Sequence, residues 1–527
     1  MPITAGMDAL KISLAPLLLL LTAMPSMPTM AQDEMPVPAP AMLEEAVRAQ
    51  TTRFEHPLPE SAFHLAMNVG AIHEFNPDLA AVIVSFEGFI STPALAEEGL
   101  LGGRTILVKD NIETAEWATT AGSLALERNA TDRDAPLIAN IRANGGVILG
   151  KTNLSEWANF RSTGSSSGWS AVGGQTRNAH ATDRSPCGSS SGSAVAVAAG
   201  MSWAAIGTET DGSITCPAAV NGIVGFKPTV GMVSRTHIVP ISASQDTAGP
   251  MARTVREAAL MLSAMAGSDP RDPATAEADA RKGDFTAGLA DASLADLRIG
   301  VLRRQAGDNA KVTAVFEAAL ADMARAGATL VEIDYTPDES MWADEYTVLL
   351  YEFREGLGAY LASSPADIPV RSLADVIAWN MANADRELRW FGQEIFEQAL
   401  MTTDREAYAS ARANSFRLAG PQGIDRLLAE HDVALLVAPT LGPAWNIDLV
   451  MGDRPGDGIG AGSLAAIAGY PHLTVPMGAV EGLPIGLSIM GAKWHDHAVL
   501  QAGAAFERAR TAELASPSLQ PWSPRRE

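Results

Sequence analysis

Between roughly residues 100 and 490 the chain alternates short apolar runs with amphipathic stretches, and this alternation carries the first structural expectation. Gly103-Arg104-Thr105-Ile106-Leu107-Val108 reads as a short buried strand, with Lys109-Asp110-Asn111 at its C-terminal end. Residues 134–144 have the spacing of an amphipathic helix that Gly145-Gly146 stops, and Val147-Ile148-Leu149-Gly150-Lys151 returns as a strand. The pattern continues with a helix over 258–266, a polar Asp/Ala-rich surface excursion over 267–294, a strand over 297–302, a helix over 310–326 and a strand over 329–333. Further strands are expected at 433–438, 472–476 and 483–490. Residues 40–75 read as helical, most clearly at Met42-Leu43-Glu44-Glu45-Ala46-Val47, and 340–430 as a long helical insertion capping a sheet. Helix and strand in alternation predict an α/β architecture.

One stretch breaks the alternation. From Gly188-Ser189-Ser190-Ser191-Gly192-Ser193 the chain runs through Ala194-Val195-Ala196-Val197-Ala198-Ala199 to Gly207-Thr208-Glu209-Thr210-Asp211-Gly212-Ser213, and closes on Gly225-Phe226-Lys227-Pro228-Thr229. A flexible linker would be polar throughout, whereas these serine loops are bounded by apolar segments that hold them. A serine hydroxyl needs a base to become a nucleophile. His180 is the one histidine near these loops in sequence, so a lysine base is the economical alternative. Free lysine, with a pKa near ~10.4, is protonated at neutral pH, but burial at the end of an apolar strand, as at Lys109, lowers it.

Composition narrows the function classes. The 527 residues are 47% hydrophobic and 19% charged, with a formal net charge of −23 from scattered acidic residues. Nucleic acid is therefore not an expected partner, because phosphate binding requires a basic face. At the N-terminus, Lys11, the apolar run over 14–21 and Thr29-Met30-Ala31 fit a signal peptide spanning 1–31, which predicts export without stable membrane insertion after cleavage. Residues 32–40 read as a flexible mature start, 41–515 as a single domain and 516–527 as a tail, with a monomer as the expected state. Cys187 and Cys216, the two cysteines, flank the serine stretch. They are read as buried free thiols, with a disulfide, which export would permit, as the alternative if their Cα atoms lie within roughly 7 Å.

The serine stretch, with Ser213 lying 24 residues after Ser189, resembles the amidase signature family, as do Lys109-Asp110-Asn111, Ser244-Gln245-Asp246-Thr247-Ala248-Gly249-Pro250-Met251 and Ala468-Gly469-Tyr470-Pro471-His472-Leu473-Thr474-Val475-Pro476. The resemblance spans about 40–510 and implies a large mixed twisted sheet covered by helices on both faces. It also implies amide hydrolysis through an acyl-enzyme, with Ser213 as nucleophile, Ser189 in a cis peptide relaying the proton, Lys109 as base and Ser190 in support. The backbone N–H groups of Thr210, Asp211, Gly212 and Ser213 would form the oxyanion hole. No cofactor and no metal are implied.

The chain departs from the family pattern where Glu209 replaces an aspartate, Asp211 a glycine and Thr215 an arginine. With Ser155-Glu156-Trp157-Ala158-Asn159-Phe160-Arg161-Ser162, these departures resemble the peptide amidase branch, which implies removal of the C-terminal carboxamide of peptides. Asn159 and Phe160 are then candidate substrate contacts, and most aromatics of 340–400 are expected to pack in the core. The alternatives are an amidase of aryl, aliphatic or oligomeric amides, the glutaminase component of a tRNA-dependent amidotransferase, or a secreted binding protein that keeps the fold without turnover. A Gly-x-Ser-x-Gly elbow at 188–192 with His495 or His497 is disfavoured, because Thr182-Asp183-Arg184-Ser185-Pro186 is not the strand that such an elbow needs.

Overall fold

The computed structural model describes residues 60–86, 98–456, 458–514 and 516–524. The expected signal peptide, the flexible start and the helix at 42–47 lie outside the described residues. The chain begins with helix α1 (Glu60–Leu79) and strand β1 (Val82–Ser85). Strand β2 (Thr105–Lys109), helix α2 (Pro136–Ala143) and strand β3 (Val147–Thr152) follow. Next come α3 (Ser191–Ala198), β4 (Ala204–Glu209), α4 (Thr215–Val220), β5 (Val224–Lys227), β6 (Thr247–Ala252) and α5 (Val255–Met265). Strand β7 (Arg298–Val301), helix α6 (Ala310–Arg325) and strand β8 (Thr329–Glu332) precede a helical region of α7 (Ser340–Ser363), α8 (Leu373–Ala382), α9 (Glu394–Met401) and α10 (Arg405–Ala419). Strand β9 (Leu435–Pro439), helix α11 (Gly462–Ala468), the pair β10 (His472–Val480) and β11 (Leu483–Met490), and helix α12 (Asp496–Ala509) complete the order.

The strands form one 11-stranded sheet in the order β1-β3-β2-β4-β6-β5-β10-β11-β9-β7-β8. It is mixed: β3-β2-β4 and β9-β7-β8 run parallel, whereas β4-β6-β5-β10-β11-β9 pair antiparallel. Successive side chains of a strand point to opposite faces, and β2 divides accordingly. Ile106 and Val108 enter a core with α2, α5, α6 and α12, while Leu107 joins a second core with α1 and α3. Lys109 shares the parity of Leu107, so its side chain is aimed at the side of the sheet from which the serine loop approaches. Both faces of the central strands are therefore covered, which explains why β2, β3, β4 and β6 are buried at every position.

The α/β expectation is met, and the elements read at 103–108, 134–144, 147–151, 258–266, 297–302, 310–326 and 329–333 are present with shifted ends. Among the aromatics of the helical region Phe353, Tyr360, Phe391 and Phe396 are buried, with Phe353 and Phe396 stacked at 5.1 Å in a core shared with Trp157 and Phe160, whereas Trp342 is exposed. The cysteine expectation is corrected: Cys187 and Cys216 are joined in a disulfide, with Cα atoms 6.0 Å apart. The fold brings together two loops 29 residues apart in sequence, a proximity that linear spacing does not carry. Among the described residues no helix is long and apolar enough to cross a membrane.

Candidate active site

The site lies where the parallel strands β2 and β4 end, the place where open α/β sheets leave a crevice. Lys109, the last residue of β2, is fully buried. Its Nζ donates to Ser189 Oγ at 2.7 Å, to Thr208 Oγ1 at 2.8 Å and to the Thr208 carbonyl at 3.1 Å. Asn111 Nδ2 donates to the same Thr208 hydroxyl at 3.0 Å. Burial lowers the Lys109 pKa to about 7, against the opposing pull of the Asp246 and Glu209 carboxylates. The amine is thus poised between its charged and neutral forms near neutral pH.

Ser189 is buried, and the Gly188–Ser189 peptide bond is cis. The Ser189 carbonyl accepts from Ser155 N–H at 3.0 Å. Ser190 links this loop to the rest of the site. Its N–H donates to the Ser213 carbonyl at 3.1 Å, its hydroxyl donates to the Thr208 carbonyl at 3.1 Å, and that hydroxyl accepts Thr208 N–H at 3.2 Å. A Cβ on Gly207 would meet Ser190 Oγ at 2.8 Å, so only glycine lets β4 approach the serine loop this closely.

Ser213 lies in the turn from β4 into α4, with 8% of its surface exposed. The turn is held from behind. Glu209 Oε2 accepts the N–H groups of Ile214 and Thr215 at 2.8 and 2.9 Å and the Thr215 hydroxyl at 3.3 Å. Two of the departures noted in sequence are thus one paired substitution, a carboxylate and the hydroxyl that binds it. Thr210 Oγ1 donates to Asp246 Oδ1 at 2.6 Å, and Gln245 Nε2 bridges the Thr210 carbonyl at 3.3 Å and Glu345 Oε1 at 2.8 Å. Among the described residues no protein acceptor takes the N–H groups of Asp211, Gly212 or Ser213. Gly212 has φ +78°, and the position of its absent Cβ meets nothing within 4 Å, so this row of free donors borders open space.

Asp211 is the third departure. Burial raises its pKa to about 6, opposed by a hydrogen bond from Ser463 on α11, reinforced by Glu209 and offset by Lys227. Glu345 on α7 is also raised well above the usual carboxylate range, first by burial and then by the charge of Asp211. Lys227 is buried and lowered to about 8 by desolvation, against Glu209, Asp496 and Asp211. Lys227 thus feels the carboxylates of Glu209, Asp496 and Asp211, while its Nζ donates to the Pro228 carbonyl at 3.3 Å.

Asn159 is the last of three consecutive left-handed residues, Trp157, Ala158 and Asn159, with φ of 51°, 54° and 70°, and Phe160 follows them. Such a run is strained for side-chain-bearing residues and is held by the buried pair of Arg161 Nη2 and Glu156 Oε2 at 2.9 Å. Asn159 Oδ1 accepts from Ser165 Oγ at 2.8 Å, while Phe160 packs edge-on against Phe353 at 5.2 Å. Phe160 is therefore a wall between this loop and α7. The histidines stand apart: His180 Nε2 meets the Asn221 carbonyl at 3.1 Å, its pKa lowered to about 4 by burial, and His497 Nε2 meets the Ala287 carbonyl. Among the described residues no group of three or more His, Cys, Asp or Glu side chains could hold a metal ion.

Sequence reasoning assigned no role to Thr208, Asn111, Gln245, Asp246, Glu209 or Glu345. The first five sit inside quoted motifs, which was the available signal. Glu345 comes from a helix 100 residues beyond Gln245 and has none.

A chemically poised lysine, two serine loops and a row of unpaired N–H groups suit nucleophilic attack on a carbonyl. Comparison with known proteins agrees. The family profile described as amidase matches residues 85–500. The native peptide amidase from Stenotrophomonas maltophilia has 46% sequence identity and a TM-score of 0.81, covering 90% of this chain and 98% of that one. A peptide amidase structure in complex with the competitive inhibitor chymostatin has 47% identity and a TM-score of 0.82, covering 89% of this chain and 98% of that one. A probable amidase of Arabidopsis thaliana is 35% identical over 459 residues, 83% of this chain and 85% of its own length.

Proposed function

Because this chain belongs to the amidase family of amide hydrolases, we propose that it hydrolyses the C-terminal carboxamide of peptides, releasing ammonia and the free acid. The observation that carries the chemistry is the 2.7 Å bond from Lys109 to Ser189, made by a buried lysine whose pKa falls near 7. In this reading Ser213 Oγ attacks the carboxamide carbon, its proton passes to Ser189, and the Ser189 proton passes to neutral Lys109. The oxygen that gains charge is received by the free N–H groups around Gly212, each such donor being worth about 3 kcal/mol in a water-excluded site. Lys109 returns the proton through Ser189 to the leaving nitrogen, ammonia departs, and water cleaves the ester on Ser213 by the same relay. Ser190 keeps the two serine loops in register, and Asn159 orients the carboxamide.

The peptide substrate is supported by the two peptide amidase structures, with identities of 46% and 47% across nearly the whole of those chains. Export is supported by the Cys187–Cys216 bond, which suits an oxidising compartment, and by the leader-like pattern of residues 1–31. The test uses residues 32–527 and a peptide ending in a carboxamide, followed by mass spectrometry. The expected result is conversion of the terminal amide to acid with internal bonds intact, abolished in Ser213→Ala. Cleavage of a simple aryl or aliphatic amide with the peptide untouched would retain the hydrolase and reject the peptide substrate.

A further inference from the structure

We propose that the Cys187–Cys216 disulfide is a positioning clamp of the hydrolytic site, holding the loop of Ser189 against the loop of Ser213, so that turnover falls when the bond is opened although the protein stays folded. The proposal rests on the reading of Ser213 as the nucleophile. Cys187 stands two residues before Ser189, and Cys216 three residues after Ser213. Each half of the bond is tied to the reacting segment beside it. The Cys187 carbonyl accepts from Ser191 Oγ at 2.6 Å, and Cys216 N–H donates to the Gly212 carbonyl at 2.8 Å, in the row of N–H donors. The loops are otherwise joined directly by the Ser190 N–H bond to the Ser213 carbonyl. Ser190 is also tied to Thr208, and Asn221 at the end of α4 donates to the Pro186 carbonyl at 3.1 Å, so the disulfide adds a covalent stop to a contact between the two loops that is otherwise made of hydrogen bonds.

The bond contributes little to the main packing. It sits in a small apolar cluster with Val220, Ala444, Leu441 and Trp445, apart from the large cores on the two faces of the sheet. Opening it leaves those cores intact, so its effect is expected at the site rather than on the fold. Cys216 is only partly buried, which gives a small dithiol access to the bond. In that reaction the dithiol supplies two electrons and two protons and closes to its own cyclic disulfide, while Cys187 and Cys216 become thiols.

The test reads Ser213 without depending on the identity of the amide substrate. Phenylmethylsulfonyl fluoride is added to the oxidised protein, to the protein reduced in place by a dithiol, and to Cys187→Ala combined with Cys216→Ala. Peptide mass spectrometry follows sulfonylation of Ser213, in which the Oγ–S bond forms, fluoride leaves, and the hydroxyl proton passes towards Ser189 and Lys109. Circular dichroism and Tm confirm folding at the assay temperature, and reduction in place serves if the double variant does not fold. A clamp predicts that labelling and kcat both fall by roughly tenfold to a hundredfold, the scale of a small misplacement of reacting groups, with KM little changed and with recovery on reoxidation. A purely structural bond would lower Tm and leave both rates alone, and that result overturns the proposal. If Ser213 is labelled but no peptide amide is cleaved, only the substrate reading fails and the labelling rates still decide the clamp. If the oxidised protein is not labelled at Ser213, the clamp falls together with the nucleophile.

Discussion

A lysine that ends a buried strand has few ways to remain charged, and Lys109 has the two that matter here, the carboxylates of Asp246 and Glu209. Desolvation outweighs them, and the pKa settles near 7. The neutral amine therefore gains population as pH rises through 7, so kcat/KM for a substrate limited by chemistry should climb between about pH 6 and 8 and then level off. Lys109→Met should remove the inflection and reduce turnover by roughly 10²–10⁴-fold, the usual contribution of a positioned base. The sign of the electrostatic effect can be tested separately. The Asp246 carboxylate favours the ammonium form, so Asp246→Asn should move the inflection to lower pH. An unmoved inflection with a lower plateau would show that Asp246 acts on the rate chiefly through its hydrogen bond to Thr210.

At the scale of elements, the turn from β4 into α4 depends on one side chain. Glu209 supplies the acceptor for two N–H groups at the start of a six-residue helix whose preceding residue, Ile214, has no side chain able to cap it. Glu209→Ala would leave two buried donors without a partner, at about 1–3 kcal/mol each. It should lower the urea midpoint and the Tm, and it should reduce turnover more than a distant mutation of equal stability cost, because the same turn carries Ser213. Conserving the shape in Glu209→Gln, with one acceptor oxygen retained, should recover much of the stability. This turn also marks what the sequence could and could not disclose. The strands at 147–152 and 298–301 were legible because branched apolar residues dominate them. Strands β4, β5 and β6 were not: Ala-Ala-Ile-Gly-Thr-Glu, Val-Gly-Phe-Lys and Thr-Ala-Gly-Pro-Met-Ala lack both alternation and bulk, since neighbouring backbones press on glycine and alanine there. The positions of Lys109, Ser189 and Ser213 were legible as motifs at a fixed spacing, whereas their meeting point, and the bond between Cys187 and Cys216, arise from pairing distant segments and leave no periodic trace.

In the whole molecule, the helices of 340–419 do more than cover the sheet. Glu352, buried on α7, accepts from Ser242 Oγ at 2.5 Å, from Ser244 N–H at 2.9 Å and from Tyr408 OH at 2.7 Å, and it also binds the Ser244 hydroxyl. One carboxylate thus joins α7, α10 and the segment 242–244. That segment continues into Gln245 and Asp246, which hold Thr210. Glu345, two turns earlier on α7, grips Gln245 itself. The helical region is therefore fastened to the site at two carboxylates, and a change more than 100 residues away from Thr210 in sequence can reach its backbone. Glu352→Ala removes the acceptor from three hydroxyls and one N–H, so the segment 241–246 should loosen while the sheet, held by its own cores, does not. Hydrogen exchange should quicken at 241–246 and 210–213 and remain slow in β2 and β10. Turnover should drop several-fold, in line with a small displacement of the N–H groups proposed to receive the oxyanion. Glu345→Gln, which keeps the shape and an acceptor oxygen towards Gln245, should instead leave exchange at 241–246 close to that of the unmodified protein. If Glu352→Ala exchanges faster throughout the sheet as well, the helical region stabilises the fold as a whole and has no selective hold on the site.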